Sequence, residues 1–158
     1  MAQINPALIH YVDEAGIDNN EYYEYGWAPY GERFYALKPG TRTQRISMIA
    51  ALNQNTLHSP FIFEGYTNRD LFIVYLEQVL IPNLKPGEVV VIDNASFHKG
   101  DIIKTMIESA GCSLIFLPAY SPDFNPIEHF WHSVKNSIRK TLTNTEHSLL
   151  QAAECAFC

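Results

Sequence analysis

Short alternating runs of apolar and polar residues fill the first 65 positions, and beyond them the apolar positions switch to helical spacing. Ala7 to Val12, the Tyr-rich Tyr22 to Trp27, the alternating Arg45 to Leu52 and a short Phe61 to Phe63 predict strands. Turn signals fall at Ala28-Pro29, Lys38-Pro39-Gly40 and Ser59-Pro60, so this part reads as an antiparallel meander.

Past Asn68, a good N-cap, Leu71, Phe72, Tyr75, Leu76, Val79 and Leu80 recur at helical spacing until Pro82. Pro86-Gly87 turns into Glu88 to Ile92, a β-branched run typical of a strand buried on both faces. Ile102, Ile103, Met106, Ile107 and Ala110 mark a second helix that Gly111 ends, and Ser113 to Leu117 is a short strand closed by Pro118. The final helix begins at Asn125-Pro126 and buries Ile127, Phe130, Trp131, Val134 and Ile138. Meander strands followed by alternating helices and strands predict an α/β domain, a mixed sheet of about five strands with helices on both faces. The order is that of the ribonuclease H-like fold, in which the first and fourth strands lie side by side. Asp13 and Asp93 then meet at adjacent strand ends, and the last helix brings Glu128 to them.

A chain of 158 residues with 47% hydrophobic and 13% aromatic content buries one core, so a single domain over residues 1–158 is expected. Apolar stretches such as Leu71 to Ile81 are interrupted by charge and fall short of the roughly 18 residues that span a membrane. No secretory signal opens the chain, which predicts a cytoplasmic protein with no membrane partner. Cys112, Cys155 and Cys158 are an odd set, expected as free thiols, and the terminal Cys155-Ala-Phe-Cys158 lacks the second ligand pair a zinc site needs.

The net charge of −6 argues against a simple basic nucleic-acid binder. The charges are segregated, however. Asp13, Glu14, Asp18, Glu21 and Glu24 crowd the first quarter, whereas Arg33, Lys38, Arg42 and Arg45 form one basic strip and Lys135, Arg139 and Lys140 another. An acidic metal centre between basic strips suits a polyanion held by metals and phosphate contacts; two ordinary solvated faces explain the charges equally well.

Asp13, Asp93 and Glu128 carry the chemistry. Each has a bland reading: Asp13 as a polar strand end, Asp93 as a turn cap before Asn94, and Glu128 as the N3 member of a capping box begun by Asn125. Together they are more specific, because converging carboxylates repel one another unless cations sit between them. Two ions held by shared carboxylates activate a hydroxyl on one side of a phosphodiester and stabilise the leaving oxygen on the other. Hard oxygen donors select Mg2+ or Mn2+. His98, five residues beyond Asp93, is a candidate phosphate contact or orienting group, and Trp27 and Trp131 are core residues or base-stacking platforms.

The chain resembles the catalytic domain of the D-D-E transposases, in the bacterial insertion-sequence branch of the mariner superfamily. The likeness runs from about Ile9 to Lys140, through Val12-Asp13-Glu14-Ala15-Gly16, Gly31-Glu32-Arg33, Arg45-Ile46-Ser47, Val91-Ile92-Asp93-Asn94-Ala95-Ser96-Phe97-His98 and Leu117-Pro118-Ala119-Tyr120-Ser121-Pro122-Asp123-Phe124-Asn125-Pro126-Ile127-Glu128. Asp93 and Glu128 are separated by 34 residues (128 − 93 − 1), the spacing expected of this branch. The resemblance implies that Asp13, Asp93 and Glu128 bind two Mg2+ or Mn2+ ions and are the catalytic triad. It implies cleavage of double-stranded DNA at transposon ends and transfer of the exposed 3′ hydroxyl into a TA-type target, by a homodimer at the bacterial nucleoid. Arg33, Arg42, Arg45, His98 and Lys99 are its candidate DNA contacts.

Full-length relatives carry N-terminal helix-turn-helix modules that read the transposon ends, and the expectation here is that this region is absent. Two alternatives stay open: a ribonuclease H-like nuclease that cuts without joining, and a non-catalytic remnant.

Overall fold

The structure, a computed structural model, describes residues 4–19, 44–95, 98, 100–118 and 124–157. Five strands form one mixed sheet in the order β3-β2-β1-β4-β5: β1 Ile9–Asp18, β2 Arg45–Asn53, β3 Thr56–Glu64, β4 Val89–Ile92 and β5 Ser113–Phe116. β1, β2 and β3 are an antiparallel meander, and β4 and β5 add in parallel on the other side of β1. Helix α1 (Arg69–Tyr75), α2 (Asp101–Ser109), α3 (Ile127–Asn144) and α4 (Leu149–Cys155) supply the outer layers.

Alternation along β1 sends side chains to two cores. Val12 joins Ile49, Ala51, Val90 and Ile92 against Phe72, Tyr75 and Leu76 of the α1 region and Ile103 and Ile107 of α2. Ile17 joins Ile46, Met48, Ala50 and Leu52 against Ile127, Trp131, Val134 and Ile138 of α3 and Leu149, Ala152 and Ala153 of α4. Each such fully buried aliphatic side chain is worth about 1.5–3 kcal/mol, so the sheet is clamped from both faces.

Several elements differ from the expectation. β1 reaches Asp18, so Asp13 lies within the strand. Its pairing with β4 ends at Val12↔Ile92 while its pairing with β2 runs on to Asp18↔Arg45, which makes Asp13 the first β1 residue beyond β4. β3 has nine residues because Ser59-Pro60 is a bulge rather than a turn: both stand opposite Ala50, and Ser59 takes φ 52°. Proline has no N–H for the ladder, and a bulge on an edge strand accommodates it.

Asn68 caps α1, its Oδ1 accepting from Leu71 N at 2.9 Å, but the helix continues past Tyr75 through a π turn (Leu76–Leu80). Pro82 lies inside the closing 3-10 turn Ile81–Asn83. α3 starts at Ile127 with Pro126 as its cap residue and no side-chain capping bond, so the expected Asn125–Glu128 box does not form. α4 was not anticipated, although Ser148 and Gln151 form a reciprocal capping box at its start. The strand expected over Tyr22 to Trp27 lies outside the described residues.

Candidate active site

β1 and β4 run parallel, so their carboxyl ends lie together, and Asp13 and Asp93 are the next residues after the Val12↔Ile92 pair. In open α/β sheets this edge is where ligands collect. Asp13 points to the α3 side. Its Oδ2 accepts a 3.2 Å hydrogen bond from Trp131 Nε1, and both residues are buried. Glu128 lies three residues before Trp131, on the same side of α3, and is exposed. Burial, followed by the charges of Glu14 and Glu128 and then Asp93, pushes the Asp13 carboxyl from 3.8 up to about 7. A backbone hydrogen bond from Glu14 opposes this and does not win.

Asp93 has the opposite balance. Its Oδ1 accepts from Ala95 N at 3.1 Å and lies 2.5 Å from His98 Nδ1. The His98 bond outweighs partial burial and holds its carboxyl below the ordinary range. His98 is fully buried, with its other nitrogen, Nε2, 2.5 Å from Glu14 Oε1. Burial alone would lower its pKa, but the Asp93 and Glu14 carboxylates raise it to about 9, so the bridge is an imidazolium between two carboxylates near neutral pH. Phe72 of α1 lies against this ring, centroid to centroid 4.3 Å.

The structure thus brings Asp13, Glu14, Asp93 and Glu128 into one electrostatic neighbourhood. Among the described residues no three His, Cys, Asp or Glu side chains are close enough together to hold a metal ion as they stand. The donor set nevertheless fits a hard divalent cation. It consists of carboxylate oxygens, and the buried member, Asp13, is pushed towards protonation by its burial and by the neighbouring acids, both of which a cation would offset. Asp93 Oδ2 makes no hydrogen bond among the described residues, and the Asp93 side chain is 44% exposed, so it has an oxygen to offer.

The candidate DNA contacts fare differently. Arg33, Arg42 and Lys99 lie outside the described residues. His98 is buried between the Asp93 and Glu14 carboxylates, in the position of an orienting group. Arg45 pairs with Asp18, Nη1 to Oδ2 3.1 Å, and its guanidinium lies 4.8 Å over the Tyr66 ring. It also packs on Gly16 so closely that a Cβ there would meet Nη2 at 2.1 Å. Its charge is therefore already engaged. His129 and His132 are exposed.

Two participants escaped the sequence reading. Glu14 stands in the sequence only as one of the acids that crowd the first quarter, yet alternation along β1 sends it to the opposite face from Asp13, where it meets His98. Trp131 was read as core or as a stacking platform, whereas its indole N–H is the donor to Asp13. Its place one helical turn after Glu128 is the signal that points there.

The family described as DDE superfamily endonuclease matches residues 9–149. No curated protein matches the chain. Among solved structures, the Mos1 strand transfer complex is similar at TM-score 0.66 and 15% identity, over 96% of this chain and 52% of that one. The Mos1 mariner paired end complex with Mn gives TM-score 0.65 and 17% identity, over 97% and 51%. A simian T-cell lymphotropic virus intasome in complex with PP2A regulatory subunit B56 gamma gives TM-score 0.61 and 14% identity, over 96% and 47%. The chain spans about half the length of the transposase chains it resembles. At these identities the likeness establishes the fold, a ribonuclease H-like sheet with its helices.

Proposed function

The chain belongs to the DDE superfamily endonucleases, and from that premise we propose that it is the catalytic domain of a transposase, with Asp13, Asp93 and Glu128 as its triad. The observation that carries this reading is the crowding of acids around a buried one: Asp13 is raised to about 7 at the edge where β1 outruns β4. Asp13, Asp93 and Glu128 would hold Mg2+ or Mn2+, two ions in all, which supply Lewis acidity at the phosphate and an activated hydroxyl. One similar structure is described with Mn.

The chain's own residues set the donors. Trp131 Nε1 fixes one oxygen of Asp13, His98 fixes one oxygen of Asp93, and Glu128 rides on the exposed first turn of α3. Cleavage breaks a P–O3′ bond with water as the incoming group and leaves a 3′ hydroxyl. In joining, that hydroxyl attacks a target phosphodiester and displaces its 3′ oxygen, with no covalent protein intermediate. The substrate is double-stranded DNA, transposon ends and a TA-type target, and the active unit is a homodimer because two ends must be paired. The site of action is the bacterial cytoplasm, at the nucleoid. Among the described residues no helix is long and apolar enough to cross a membrane.

The test is to incubate the protein with Mg2+ or Mn2+, a labelled DNA with a precut 3′ end and a TA-containing target, alongside Asp93→Asn. Joined product from the wild type alone supports the proposal. The family description names cutting and not joining, so nicking without joined product favours the second reading, a nuclease. Activity retained in Asp93→Asn removes the triad assignment.

A further inference from the structure

At the far end of the sheet from the carboxylates, two histidines meet across a strand. His10 stands on β1 and His58 on β3, with β2 between them. The β2 residues opposite them are Asn53 and Ala51, and the short Ala51 side chain lets the imidazoles close over the strand. His10 Nδ1 and His58 Nε2 are 2.9 Å apart, and the rings are nearly perpendicular at 85°. A cavity of about 380 Å³ opens beside them, lined by polar residues that include Asn53, Thr56, Asn83 and Lys85.

Each ring also has an oxygen behind it. His58 Nδ1 is 2.9 Å from Ser59 Oγ, an approach the Ser59 bulge makes possible. His10 Nε2 lies 3.2 Å from Glu88 Oε2, a charge contact not aligned as a hydrogen bond, and the same oxygen accepts from Lys85 N at 2.8 Å. If Glu88 and Ser59 each take the proton of the nitrogen they face, the two inner nitrogens confront each other as lone pairs. As the rings stand, one inner nitrogen donates to the other; with both outer nitrogens protonated, a metal ion takes the place of that proton. Ring nitrogens held from behind by oxygen acceptors are the usual outer shell of a histidine metal site.

We propose that His10 and His58 form a two-nitrogen site for a borderline divalent cation of the Zn2+ class, with Glu88 and Ser59 orienting the rings and cavity water completing the coordination. Two bonds of about 2.0–2.1 Å at a tetrahedral zinc put the nitrogens roughly 3.3 Å apart, so the present gap needs to open by only a few tenths of an ångström. Burial and the neighbouring His10 hold His58 below its ordinary pKa, against the opposing charge of Glu88, and so keep the neutral, ligating form at pH 7. No three His, Cys, Asp or Glu side chains converge among the described residues, and here Glu88 faces the outer nitrogen of His10 rather than the gap between the rings. The site is therefore open and exchangeable, unlike a closed structural zinc. Imidazole donors separate it from the all-carboxylate end, and an ion bound there ties β1 to β3 over β2.

The proposal does not depend on the transposase reading. It is tested by titrating Zn2+ into the 15N-labelled protein in excess Mg2+, following the histidine ring nitrogens by long-range 1H–15N spectra. His10 Nδ1 and His58 Nε2 should shift together, with the proton resting on His10 Nε2 and His58 Nδ1, while the rings of His98, His129, His132 and His147 stay in place. His58→Gln should weaken Zn2+ binding at this position at least about tenfold, and Glu88→Gln by about 10–100-fold with the fold kept. Unchanged His10 and His58 resonances, or binding undiminished in both variants, would overturn the site.

Discussion

The two ends of the β1–β4 pair gather ionisable groups in opposite proportions. Beyond Val12 and Ile92 stand Asp13, Glu14, Asp93 and Glu128, with His98 the cation that touches two of them. At the other end stand His10 and His58, with Glu88 as the acid that touches one. The same strands therefore present hard oxygens at one edge and imidazole nitrogens at the other. An excess of buried acid is a standing cost that a divalent cation relieves, whereas a histidine pair relieves its own charge by staying neutral. A site that must bind a substrate and its ions is built with the first kind of imbalance.

The sharpest way to break this contrast is to neutralise the acidic end. Asp93→Asn and Glu128→Gln should each lower metal-dependent cleavage by about a thousandfold or more, since metal stabilisation is worth several kcal/mol at about 1.4 kcal/mol per tenfold. Circular dichroism should show α3 intact in both, because its start has no side-chain cap to lose. Helix loss with activity kept would make Glu128 a structural residue.

A second prediction concerns stability without metal. The Asp13 carboxyl is raised from 3.8 to about 7, so the folded protein holds a proton that the unfolded chain has released. Stability therefore falls as pH rises from about 4 to about 7, by about 4 kcal/mol over that window at about 1.4 kcal/mol per pH unit. Asp13→Asn should abolish that fall, leaving the variant more stable than the wild type in urea at pH 8, equal to it near pH 4, and inactive. A wild-type curve that is flat across the window would contradict the placement of Asp13 among repelling acids.

Metal sharpens the same point. Mg2+ or Mn2+ should raise the melting temperature more at pH 8 than at pH 5, because the ligands must be deprotonated to bind. Equal shifts at both pH values would mean that the ion does not see Asp13. The smallest effect belongs to the residue that holds Asp13. Trp131→Phe keeps most of the apolar packing but leaves a buried carboxylate oxygen without its donor, a loss of about 1–3 kcal/mol in chemical unfolding. A change below about half a kcal/mol would show that water replaces the indole.

The sequence made most of the element order legible, and made three acids candidates, because strong periodicities and short specific motifs carry them. Helical spacing after Asn68 and the β-branched Val89 to Ile92 translate directly into α1 and β4. What it hid depends on partners distant in the chain. Asp13 reads as a strand end, yet β1 goes on because β2 is a longer neighbour than β4. Ser59-Pro60 reads as a turn, yet one residue of slack at Ala50 absorbs it into β3. His98 carries a motif that suggests surface contact, and only the fold reveals Glu14 waiting across the ring.

The Trp131–Asp13 hydrogen bond joins residues 118 positions apart. The meander that carries Asp13 closes over much shorter separations, so on the ribosome it can form well before α3 emerges. The acidic centre is then among the last parts of the domain to be completed. On the proposed assignment, a chain whose synthesis stops short of α3 would hold Asp13 and Asp93 without Glu128, and so would lack the third carboxylate of the metal site.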